Sequence, residues 1–93
     1  MLKIDIIYNK DCLEGMKELP DKCIDAVIAD MPYGVLNRKN GSAGWDRQIP
    51  LDALWEQYRR IAKPSCPIIL FAQGIFSARL MLSQPRMWRY NLV

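Results

Sequence analysis

Ile24-Asp25-Ala26-Val27-Ile28-Ala29-Asp30-Met31-Pro32-Tyr33-Gly34 is the stretch whose reading decides the fold. Its first six residues are short-range, mostly apolar and rich in β-branched side chains, the pattern of a strand buried in a parallel sheet. The run stops abruptly at Asp30. Pro32 fixes its own φ and biases Met31 toward extended backbone, so the Met31 carbonyl has a defined direction. Asp30 adds a carboxylate acceptor beside that carbonyl, and Tyr33 sets a flat ring one residue further on. Two acceptors and a stacking surface suit a planar ligand bearing an amino group, such as adenine or cytosine. The same residues also serve in ordinary strand-to-turn exits, so both readings stand at this point.

Working outward toward the N-terminus, Ile4, Ile6, Ile7 and Tyr8 form a short β-prone run ending at Asn9-Lys10-Asp11. Asp11 is placed to cap a helix, with Glu14 three residues on as in a variant capping box. Leu13, Met16 and Leu19 give that helix one apolar face through Glu18, and Pro20-Asp21 stop it. In the other direction, residues 35–50 follow neither the helical nor the strand period and read as a long loop holding Trp45 and the basic Arg38, Lys39 and Arg47. Leu51, Leu54, Trp55, Tyr58 and Ile61 then fall on one helical stripe, which makes Trp55 and Tyr58 core residues. Arg59, Arg60 and Lys63 complement the dipole at the end of that helix, before Pro64 ends it.

Pro67-Ile68-Ile69-Leu70-Phe71 reads as a second buried strand. A helix from about Ile75 to Ser83 follows, broken by Pro85, and Trp88-Arg89-Tyr90-Asn91-Leu92-Val93 reads as the start of a further strand. The predicted order is β-α-β-α-β-α-β, an α/β class with a mostly parallel sheet flanked by helices. In such a sheet, ligands bind beyond the carboxyl ends of strands, where Asp30 and Asp11 both fall. The last run is still apolar where it stops, and the expectation is one truncated α/β domain over residues 1–93.

Composition narrows the function classes. The 93 residues are 51% hydrophobic and 25% charged, ordinary for a globular domain and unlike a disordered tail. There is no histidine, which excludes any mechanism using one as base, nucleophile or metal ligand. Cys12, Cys23 and Cys66 include no CxxC pair and read as reduced thiols, with no metal site. No apolar run approaches the roughly 20 residues that span a bilayer, and no signal peptide is evident, so the expectation is a cytoplasmic protein without a membrane partner. A net charge of +3 tolerates a nucleic-acid partner.

The spacing over Asp11-Cys12-Leu13-Glu14-Gly15-Met16-Lys17-Glu18-Leu19-Pro20-Asp21-Lys22 and Ile24 to Gly34 resembles the opening of the beta-group DNA amino-methyltransferases. Trp45-Asp46, the Trp55–Ile61 helix with Arg60, Lys63-Pro64, Phe71-Ala72 and the closing Tyr90-Asn91-Leu92-Val93 extend the likeness over nearly the whole chain. The resemblance implies a partial Rossmann-like methyltransferase fold, S-adenosyl-L-methionine as cofactor and DNA as substrate, in an enzyme of restriction-modification or phage type. It implies that Asp30 and the Met31 carbonyl accept hydrogen bonds from adenine N6 or cytosine N4, next to Pro32, and that Tyr33 stacks on the flipped base. It further implies that Asp11, with Cys12 beside it, contacts the adenosyl part of the cofactor. Arg38, Lys39 and Arg47 become candidates for phosphate contacts, with solvated loop charges as the alternative.

Two departures qualify these expectations. Met31 stands where the family usually has proline, which keeps the carbonyl but removes one rigid residue. The Phe-x-Gly-x-Gly cofactor loop of the family has no counterpart here. The sequence therefore leaves three readings open: a methyltransferase segment, a non-catalytic remnant acting as a homodimer or partner-binding module, and one half of a split enzyme completed by a complementary chain.

Overall fold

The computed structural model describes residues 2–33 and 48–92. Its elements run α1 (Cys12–Lys17), β1 (Val27–Ala29), α2 (Leu51–Ile61), β2 (Ile68–Leu70) and α3 (Ile75–Ser83). β1 and β2 pair in parallel, with Val27 opposite Ile68, Ile28 opposite Ile69 and Ala29 opposite Leu70. Among the described residues the result is a small α/β fold, a two-stranded parallel sheet with three helices.

α1 begins where a carboxylate can hold an orphan amide. Asp11 Oδ1 accepts from the Glu14 N–H at 3.1 Å. The reciprocal half of a capping box is not made, because the Glu14 carboxylate binds Lys17 Nζ at 3.1 Å instead. α2 buries the stripe that its spacing predicts, Leu54, Trp55, Tyr58 and Ile61, with Leu54 wholly enclosed. Met31, Leu54, Trp55, Tyr58, Phe76 and Leu80 form the core, and Val27, Ala29, Ile68 and Leu70 pack on it from one face of the sheet. Side chains alternate across a strand, so Ile28 and Ile69 point the other way. Ile28 is 70% exposed and Ile69 43%. The expectation of strands buried on both faces is corrected to strands buried on one.

Two further expected strands are absent among the described residues. In the 4–8 run Asp5 has φ of 64°, which turns an extended chain, and Lys3 N–H closes onto the Tyr8 hydroxyl at 2.6 Å. Ile4 and Ile7 stay exposed as a consequence. Over 88–92 local bonds win over sheet pairing. Met87 and Trp88 N–H both donate to the Gln84 carbonyl, Trp88 Nε1 donates to Asn91 Oδ1 at 3.0 Å, and Arg89 Nη1 donates to the Arg86 carbonyl. The 24–29 strand is also shorter than expected: Ile24 makes only an isolated bridge to Ala62.

Arg60 has a different task from the dipole partner that its place in α2 suggests. Nη2 donates to the Met16 carbonyl at 2.6 Å, and Nη1 donates to the Leu19 carbonyl at 2.7 Å and to Asp21 Oδ1 at 3.0 Å. The guanidinium thus satisfies carbonyls at and just past the end of α1 from a neighbouring helix, while Gln57 Oε1 holds its Nε and Nη2. Lys63, just past the end of α2, likewise pairs with Asp25, and that hydrogen-bonded ion pair raises its ammonium above the ordinary lysine range.

Candidate functional site

Parallel pairing sets the carboxyl ends of β1 and β2 side by side. The Phe71 N–H donates to the Ala29 carbonyl at 3.0 Å, and the ladder ends there. Asp30 is the next residue on β1 and its side chain is exposed. On β2, Phe71, Ala72, Gln73 and Gly74 lead out of the sheet, all exposed, into the first turn of α3. This end of the sheet therefore offers an exposed carboxylate beside a solvent-facing backbone turn, the position at which open α/β sheets take ligands.

Met31 and Tyr33 leave the same turn toward the protein. The Met31 side chain is buried among the core residues, with its sulfur 4.0 Å from the Tyr58 hydroxyl. An unbranched thioether fills irregular space well, so Met31 fixes the turn by packing where a proline ring would fix it by restricting φ. Pro32 and Tyr33 are half-buried, and the Tyr33 ring stacks on Phe76 with centroids 4.9 Å apart and planes 24° apart. Phe76 is itself buried and belongs to the core. Tyr58 lies beneath this arrangement, where burial pushes its phenol up to about 12.

Phe76 reaches Tyr33 because of how α3 begins. Gly74, its N-cap, has φ of 61° and ψ of −138°, a conformation that suits glycine. α3 is tied down at its far end as well, since Trp55 Nε1 donates to Ser83 Oγ at 2.8 Å. Sequence reading misses Phe76 and the buried course of Met31. The signal for Phe76 is faint, since exposed Ile75 and Leu82 blur the apolar stripe of α3.

The second group of candidates sits elsewhere. Asp11 and Cys12 open α1, and Asp11 lines an open groove of about 520 Å³ between α1 and α2 together with Leu13, Glu14, Lys17, Ala53, Glu56 and Gln57. None of residues 30–33 lines that groove. One Asp11 oxygen is engaged as the helix cap. Partial desolvation and the Asp11 carboxylate raise the Cys12 thiol above its ordinary range, which keeps it protonated at neutral pH. Arg38, Lys39, Arg47 and Trp45 lie outside the described residues.

Among the described residues there is no cluster of three or more Cys, Asp or Glu side chains that could hold a metal ion. Among the described residues no helix is long and apolar enough to cross a membrane. Comparison with protein-family models, with curated proteins and with solved structures yields no match for this chain.

Proposed function

We propose that this chain is a DNA amino-methyltransferase segment of the beta group, acting in methyl transfer from S-adenosyl-L-methionine to adenine N6 or cytosine N4 within a Rossmann-like fold. One observation carries the reading: Asp30-Met31-Pro32-Tyr33 leaves the carboxyl end of a parallel strand with its carboxylate exposed and its aromatic ring stacked on a buried neighbour. A target amino group placed there would donate to the Asp30 carboxylate and to the Met31 carbonyl. Both bonds draw electron density back onto a nitrogen whose lone pair is otherwise shared with the ring, which prepares it for in-line attack on a methyl group. Tyr33 would hold the base plane.

The fit to the cofactor is partial. The second Asp11 carboxylate oxygen, unpaired among the described residues, would accept from a ribose hydroxyl, and the α1–α2 groove beside it has open space. The cofactor, when bound, supplies the electrophilic methyl. No Phe-x-Gly-x-Gly run is present in these 93 residues to cradle its methionine end. Labelled methyl transfer to unmethylated genomic DNA should therefore be measured with the chain alone and with candidate complementary methyltransferase chains added. Incorporation in either arm should drop by at least 100-fold in Asp30→Ala, the scale of losing a positioned acceptor. Transfer undiminished in Asp30→Ala sinks the assignment.

A second reading draws on the outer face of the sheet. Ile28, Ile69 and Phe71 are exposed there, which favours a non-catalytic module that binds a second copy or a partner chain. Light scattering on the eluting protein separates the two, since a monomer at every concentration counts against this version.

A further inference from the structure

Resting on the base-stacking reading of Tyr33, we propose that Phe76 is a positioning residue that sets the Tyr33 ring for the target base. The two rings stack at 4.9 Å and 24°, so Phe76 occupies one face of Tyr33 and any base must use the other. Tyr33 is half-buried and follows a proline, and its side chain has two rotatable bonds that must be frozen when a base stacks on it. A neighbour that already holds the ring removes that ordering cost from binding.

Phe76 is suited to the task because it cannot itself move freely. It is 3% exposed and packs in the same cluster as Met31, Leu54, Trp55, Tyr58 and Leu80. α3 is anchored at the other end by the bond from Trp55 to Ser83. Met31 and Phe76 thus grip the Asp30–Tyr33 turn from one core: Met31 secures the residue whose carbonyl faces the amino group, and Phe76 secures the ring two residues on. The platform for the base is a pair of rings, of which only the outer one touches the ligand.

The test uses a single-stranded oligonucleotide carrying 2-aminopurine, whose fluorescence is quenched by stacking, and a matched oligonucleotide with an abasic site at that position. Single strands avoid the cost of opening a duplex. Phe76→Leu and Phe76→Met should each weaken the quenching-detected affinity by roughly two- to tenfold, the range of an aromatic pair. Both should leave affinity for the abasic strand unchanged, and Phe76→Tyr should restore quenching. In a Tyr33→Leu background the Phe76 substitutions should have no further effect, a coupling that a purely structural role does not produce. Circular dichroism selects the folded variants for comparison. Quenching that needs Tyr33 but is indifferent to Phe76 overturns this inference and leaves the base-binding reading standing. No quenching by the wild-type chain overturns both.

Discussion

Tyr58 is 5% exposed, and its hydroxyl lies 4.0 Å from the Met31 sulfur, so ionising it sets a charge among apolar side chains. Its phenol is pushed up to about 12, against about 10 in an unfolded chain. The folded state therefore keeps this proton to higher pH than the unfolded one. The associated stability is fully present below pH ~10 and is lost as pH rises through about 12, to the order of 2 kcal/mol. Thermal unfolding followed by circular dichroism should show the midpoint falling more steeply over that window than in Tyr58→Phe. Equal slopes mean that Tyr58 is not the group responsible. At this scale the turn was legible in part. Asp30, Pro32 and Tyr33 announce a strand exit with two acceptors and a ring, since backbone restriction and side-chain chemistry are local. That Met31 plunges into the core, and that Tyr33 finds Phe76 rather than solvent, depend on residues more than 25 positions away and leave no mark on the turn itself.

α1 is only six residues long, too short to persist alone, and Arg60 of α2 supplies what it lacks. Its guanidinium holds the Met16 and Leu19 carbonyls and the Asp21 carboxylate together. Arg60→Met keeps the aliphatic stem but strands those carbonyls, and should cost about 2 kcal/mol in urea unfolding. Exposed Arg59, substituted by Ala, should cost about 0.5 kcal/mol or less. Similar losses for the two would show that the bridge is not holding α1. The helices themselves were well marked in the sequence. α2 follows from one apolar stripe, α1 from its capping aspartate, and α3 has the bounds its flanking glycine and proline suggest. The runs at 4–8 and 88–92 misled because β-branched and aromatic residues favour a strand only where a neighbouring strand pairs with them. Asp5 at φ 64° and the bonds of Trp88 and Arg89 resolve those runs locally. Arg60 was invisible as a bridge, since its partners belong to another element.

Across the whole molecule, one face of the sheet carries the core and the other carries Ile28, Ile69 and Phe71 in the open. The parallel pairing on which the site depends also has a history in time. Val27 meets Ile68 across a separation of 41 residues (27 to 68), so no sheet contact can form until a long loop has closed. Loop closure costs entropy before the three pairs return anything, whereas α2 is assembled from contacts within 11 residues. Both strands then land on the surface that Leu54 and Tyr58 provide. Stopped-flow refolding should accordingly be slowed by Leu54→Ala, while Ile68→Val should act mainly by speeding unfolding. The reverse pattern would place the sheet first. With the helix as nucleus, the Asp30 turn is completed only after β1 has landed, when Met31 seats among Leu54, Tyr58 and Phe76.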